Sequence, residues 1–188
     1  MPNWCNNVLT ITHDDATEIQ RAIKAFNEGR LLEEFLPCPA ELMDTIAGSL
    51  GQGTPEQAEL ELKEQANMEK YGFRNWWDWK VANWGTKWDI SCDSPADLIE
   101  GKSVTLSFDT AWAPPCNWYA HMNELGFGIT AFYYEPGGCF VGKWENGQDD
   151  YHEYANHDSS TVREAIGDEL DDMFCISEEL AQYEADSE

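Results

Sequence analysis

SVTLSFDTAWAPPCNWYAHMNELGFGITAFYYE, residues 103–135, is the stretch whose reading decides the fold. Residues 103–111 alternate apolar and polar side chains with β-branched content, which predicts a half-buried strand. Pro114-Pro115 ends it, and a helix is expected near Cys116–Leu125, closed by Gly126. Residues 128–135 then read as a second strand.

Working outward, residues 87–93 (KWDISCD) read as a strand joined to 103–111 by a turn rich in Ser, Pro, Asp and Gly. Residues 6–13 (NNVLTITH) read as another strand. Asp14 or Asp15 is placed to cap a helix with Ile19, Ala22, Ile23 and Phe26 at helical spacing, and Gly29 stops it. With residues 30–85 set aside, the order is strand, helix, strand, strand, helix, strand. That is an α+β fold with the ferredoxin-like, split βαβ pattern of an antiparallel sheet.

The segment set aside reads as a helical, Trp-rich insertion. Thr54-Pro55-Glu56-Gln57 opens a helix to about Tyr71, with proline at the first helical position and a capping-box partner three residues on. This helix is mostly polar and is expected on the surface. A shorter helix is expected from Asn75 to Asn83, before Gly85.

Beyond residue 135 the sheet is expected to gain hairpin strands. Pro136-Gly137-Gly138 and Asn146-Gly147 are turn signals around residues 139–145, followed by a strand at about Asp150–Tyr154. A Thr161–Glu164 capping box opens a helix to about Gln182, with the stripe Val162, Ile166, Leu170, Met173, Phe174 and Ile176/Leu180. Residues 1–158 thus form one expected unit, and 159–188 an acidic C-terminal helix packed on it.

The chain of 188 residues carries 36 Asp and Glu against 11 Lys and Arg, a net charge of −25. Acid-rich chains with few aromatics stay unfolded, but here nine tryptophans accompany the charge and supply a core. A field of this sign repels nucleic-acid phosphates and anionic membranes and attracts basic protein surfaces. No apolar run reaches the length of a membrane span, and the start MPNWCNN lacks the features of a secretion signal, so the cytoplasm is the expected location. The six cysteines are scattered without a CxxC pair and read as small buried apolar residues.

Three strings carry a resemblance: Pro2-Asn3-Trp4-Cys5-Asn6-Asn7, Trp84-Gly85-Thr86-Lys87-Trp88-Asp89, and Phe108-Asp109-Thr110-Ala111-Trp112-Ala113-Pro114-Pro115. In this order they resemble the YubB-type ferredoxin-like family, small proteins of bacteriophages and conjugative plasmids. The resemblance runs from about residue 2 to residue 145. It implies a ferredoxin-like domain with a variable helical insertion and an origin on a mobile element, and it carries no catalytic residues. Read from the residues themselves, Trp4, Trp84, Trp88, Trp112 and Trp118 flank strand ends and are expected to cover the core, each indole N–H reaching a carbonyl. Lys87, beside Asp89 and across a strand pair from Asp109, is expected in a partly buried ion pair.

Other chemistry is weaker. Trp76, Trp77, Trp79, Trp84 and Trp88 resemble a stacking platform, but the overall field opposes direct nucleic-acid binding. Asp149–Asp158 mixes carboxylates with His152 and His157 without a metal-site spacing, so no metal or cofactor is expected. Cys116 and His121 lie five residues apart on one helix and do not face each other well. Pro2 is a candidate amino-terminal nucleophile with no other sign of a substrate pocket.

Two readings of function follow. In the first, a non-enzymatic accessory protein binds a basic, nucleic-acid-binding host protein through an acidic face and mimics nucleic acid. That face comprises Asp149, Asp150, Glu153, Asp158, Asp168, Glu169, Asp171, Asp172, Glu178 and Glu179. In the alternative, a small ligand or substrate binds at Trp84, Lys87, Trp88, Asp89, Asp109 and Trp112. Homodimerisation through the C-terminal apolar stripe is a further expectation.

Overall fold

A computed structural model describes residues 3–90 and 98–186. The strands are β1 (Trp4–Thr12), β2 (Leu98–Glu100), β3 (Ser103–Ala111), β4 (Gly128–Glu135), β5 (Phe140–Glu145) and β6 (Gln148–Glu153). They form one open antiparallel sheet in the order β2-β3-β1-β4-β5-β6. Central β1 sets the register, with Leu9 opposite Leu106 on one side and Ala131 on the other. Both neighbours therefore turn the same parity of residue toward the same face.

That first face is closed by helices α1 (Ala16–Asn27), α2 (Leu31–Phe35), α3 (Ala40–Met43), α5 (Trp76–Trp84) and α6 (Cys116–Glu124). Leu9, Ile11, Val104, Leu106, Phe108, Ile129 and Ala131 meet Ile19, Phe26, Leu32, Trp84, Trp118 and Met122 in one buried cluster. Local signals start two of these helices as expected. Asp15 accepts from the Thr17 N–H at 2.8 Å to open α1, and Asn75 accepts from the Trp77 and Asp78 N–H groups to open α5. Helix α4 (Pro55–Tyr71) lies outside the core, burying only Leu60 and Asn67. Its cap, Thr54, accepts from the Gln57 N–H at 3.2 Å, but the Gln57 side chain accepts from the Leu50 N–H instead of returning to the cap.

The second face is covered over β4, β5 and β6, by the helices of the C-terminal segment. There Tyr134 and Val141 pack with Tyr154, Val162, Ile166, Leu170 and Ile176. The expected single C-terminal helix is three: α7 (Val162–Ile166), α8 (Asp168–Phe174) and α9 (Ile176–Asp186). Gly167 at φ 88°, ψ 156° and Cys175 at φ 55°, ψ 38° break it, which lets short segments wrap the sheet. The expected capping box is absent as well: the Thr161 hydroxyl bonds Asp158 rather than the first turn of α7. The apolar stripe packs as expected except for Met173, which is 40% exposed.

The strand expected over 87–93 is also corrected. Residues 87–90 are not strand, residues 91–97 lie outside the described region, and β3 pairs instead with Leu98–Glu100. Thr86 and Asp89 explain this, because both are spent on lateral ties: Thr86 donates to the Ala111 carbonyl at 3.1 Å and Asp89 accepts from the start of α2.

Candidate functional site

The three strings converge in space. Trp4–Asn7 pairs with Phe108–Ala111 in the β1–β3 ladder, and the turn after α5 lies against the chain that leads to α6. Gly85, at φ 94°, makes that approach possible: a Cβ there would sit 2.9 Å from the Pro114 carbonyl oxygen. Beneath the junction is a buried polar network. The Asn7 amide donates to the Cys5 carbonyl at 2.8 Å and to Thr110 Oγ1 at 2.9 Å, and the Tyr119 hydroxyl donates to Asn7 Oδ1 at 3.2 Å. A fully connected network of this kind specifies one packing rather than a reaction.

Asp89, one of the candidate ligand residues, belongs to the scaffold. It accepts from the Leu32, Glu33 and Ile90 N–H groups at 3.0, 2.8 and 2.8 Å, capping α2 from 57 positions away in the chain. Its burial raises its pKa, although the three N–H donors favour the charge. Trp84 and Trp118 also belong to the scaffold. Both are fully buried, and their indole N–H groups reach the carbonyls of Leu36, just past α2, at 2.9 Å and of Leu32, within it, at 3.2 Å. For these two the expectation of core-covering rings holds.

For the other three it fails. Trp4, Trp88 and Trp112 are 44%, 43% and 47% exposed. The rings of Trp4 and Trp88 lie 6.3 Å apart, and Lys87 Nζ sits 3.9 Å from the Trp88 ring centroid and 3.7 Å from that of Trp112. Lys87 is therefore held by aromatic faces and, among the described residues, not by the expected ion pair with Asp89 or Asp109. Asp109 instead accepts from the Asn6 amide at 2.6 Å. Strand periodicity contained the missed signal: Trp4 shares its parity with Asn6, not with the core residues Cys5, Leu9 and Ile11.

The acidic residues divide the same way. Arg163 binds Asp168 at 2.7 Å, Asp171 at 3.0 Å and Asp172 at 2.6 Å. Asp171 is 2% exposed and also accepts from the Ser177 N–H and hydroxyl, so it is a structural hub and is withdrawn from the partner-facing set. Asp158 caps Ser160 and Thr161. Asp149 accepts from the Tyr133 hydroxyl at 2.5 Å, Glu169 pairs with Lys143 at 2.9 Å, and Glu179 accepts from the Tyr134 hydroxyl at 2.8 Å. Gly142 makes room for Tyr133, whose ring occupies the space a Cβ would fill. Asp150 pairs with His152, and Glu153 accepts from the Tyr151 hydroxyl. Glu164 and Glu178 are exposed and have no side-chain partner among the described residues.

The remaining candidates do not assemble. His121 Nε2 lies 3.2 Å from the Phe35 carbonyl rather than on Cys116, whose thiol is raised by burial far from a reactive value. Pro2 lies outside the described residues. Among the described residues, no three His, Cys, Asp or Glu side chains lie close enough to hold a metal ion, and no helix is long and apolar enough to cross a membrane.

No protein-family model and no curated protein matches the chain. Among solved structures, the protein api92 from Yersinia pseudotuberculosis, of the family DUF1281, aligns over 84% of this chain and 99% of its own, at 13% identity and a TM-score of 0.44.

Proposed function

We propose that this chain is a non-enzymatic accessory protein of a bacteriophage or conjugative plasmid that binds a basic protein surface in the host cytoplasm. In the sharpest form of this reading its carboxylates stand in for the phosphates of nucleic acid and occupy a DNA-binding or defence protein. The mobile-element origin rests on the resemblance of the three strings. The strand order β2-β3-β1-β4 supports a ferredoxin-like unit within the sheet, extended at one edge by β5 and β6.

The observation that carries the reading is how the charge is mounted. Residues 145–188 hold 15 acidic side chains against Arg163 alone. Through 186, all but Glu145 at the end of β5 and Asp158 in the loop before α7 lie on β6 and on helices anchored by their own apolar cluster. The charges are thus fixed on packed elements, where repeated anionic geometry can match a basic surface. Lys87 is engaged by the Trp88 and Trp112 rings and Asp109 by the Asn6 amide, contacts that support a binding surface.

The test is capture of host proteins from a bacterial lysate at about 50 mM and about 300 mM salt, conditions that differ in Debye screening. The control variant is Glu153→Lys/Glu164→Lys/Glu178→Lys, which spares the Arg163 hub. The expected result is a stoichiometric basic, nucleic-acid-binding partner that is released by salt, by the variant and by competing duplex DNA. A partner insensitive to all three, or no partner at either salt, overturns the reading.

A further inference from the structure

We propose that the exposed indoles of Trp4, Trp88 and Trp112, together with the Asp109 carboxylate, form the place where the basic partner docks, and that they receive an arginine side chain. This rests on the reading above and names the surface where its specificity lies.

Four observations converge on this patch. The first is exposure. Three large aromatic rings stand side by side in solvent although Trp84 and Trp118, from the same region of sequence, are fully buried. Exposed tryptophans grouped in this way mark interaction surfaces.

The second is backbone conformation. Trp112 is held at φ 71°, a left-handed conformation that a bulky side chain rarely adopts, and its N–H is tied to the Asn3 carbonyl at 2.9 Å. The strain holds outward a ring that is 47% exposed, so burial of that ring does not offset it.

The third is that the rings already hold a cation. Lys87 Nζ lies against the faces of Trp88 and Trp112 and makes no ion pair among the described residues. The geometry points to a cation site filled by the chain's own lysine.

The fourth is charge complementarity on an open sheet face. Asn6 lies between Asp109 of β3 and Tyr134 of β4 in the ladder, and the Tyr134 hydroxyl carries Glu179. Asp109 uses Oδ1 for the Asn6 amide, and its Oδ2 has no hydrogen bond among the described residues. The Asp109 carboxylate therefore lies beside Asn6, on the face of β1 that Trp4 shares. A guanidinium stacks on an indole and pairs with a carboxylate in one plane, which an ammonium does not. On docking it takes over the ring face, and Lys87 swings into solvent on its flexible stem.

The experiment uses the full chain with labelled indole nitrogens, titrated with a short arginine-rich peptide and with the same peptide carrying lysine at every arginine. At about 150 mM salt, where exposed charges are screened beyond a Debye length, the arginine peptide is expected to bind at least about tenfold tighter than the lysine peptide. The indole N–H resonances of Trp4, Trp88 and Trp112 are expected to move, and those of Trp84 and Trp118 to stay. Trp112→Gly should weaken arginine-peptide binding by at least about thirty-fold, the loss a hot-spot residue causes, without lowering the melting temperature. Lys87→Gln should tighten binding, because it removes the internal competitor.

Several results would overturn the proposal. In one, the peptide binds while all three indoles stay still, which leaves the acidic-face reading intact. In others, the indoles respond instead to a single-stranded oligonucleotide or to protein concentration alone, or Lys87→Gln weakens binding. Absence of binding to either peptide at any salt, with no partner captured from the lysate, overturns the parent reading as well.

Discussion

Trp84 and Trp112 come from strings that touch at Gly85 and Pro114, yet they have opposite physical roles. Trp84 is fully buried and its indole N–H donates to the Leu36 carbonyl, whereas Trp112 is strained, 47% exposed and set against a lysine. Trp118 sides with the first and Trp4 and Trp88 with the second. The difference teaches that a tryptophan-rich string need not be only core or only site. Here one set fastens α2 to the sheet, and the rigid platform so made presents the other set to solvent.

The largest effect that can break this comparison is expected from Trp118→Ala. It empties a fully buried site and frees the Leu32 carbonyl, so urea unfolding should show a loss of about 3–5 kcal/mol. A loss below about 1 kcal/mol would show that the buried set is not what holds α2. Gly85→Ala comes next, at about 2–3 kcal/mol, because φ 94° and the Pro114 carbonyl both oppose a Cβ. Thermal denaturation of that variant reads whether the junction of the strings is as close as described.

Asp89→Ala sharpens the role of α2. It leaves three N–H groups without their acceptor and should cost about 1–2 kcal/mol at pH 7. Because burial raises the folded-state pKa, the contribution of Asp89 is fully present below its unfolded pKa and is lost as pH rises through the folded value. The cost of the substitution should therefore be larger near pH 4, the ordinary aspartate range, than at pH 7. A cost that shrinks toward pH 4 would show that the three N–H donors outweigh burial.

The smallest expected effect has the opposite sign. Trp112→Gly should leave stability unchanged or raise it by up to about 1 kcal/mol, because release of the strained φ offsets the lost contact with Lys87. A loss of about 2 kcal/mol or more in chemical denaturation would move Trp112 into the structural set and end the distinction.

Much of the framework was legible in the sequence because its causes are local. Alternation over residues 6–13, 103–111 and 128–135 located β1, β3 and β4, and Asp15, Thr54 and Asn75 marked their helices. Asn146-Gly147, with φ 52° and 79°, formed the turn it announces. Features with distant causes were not legible. The cap of α2 comes from Asp89, and nothing near Arg30 announces it. Cys175 takes a left-handed conformation with no glycine to signal it, which hides the break between α8 and α9. Burial of each tryptophan depends on which way its element faces the sheet, and only Trp4 disclosed that through its parity.

Arg163 has a consequence for how this protein responds to its solvent. One guanidinium holds Asp168, Asp171 and Asp172 within a segment otherwise full of mutually repelling carboxylates. Added electrolyte relaxes that repulsion and so firms the C-terminal helices against the sheet, while it loosens any complex held by opposite charge. Folding and any association of that kind then respond to ionic strength in opposite directions: in dilute buffer such a complex would be held hardest where the fold itself is under the greatest internal pressure.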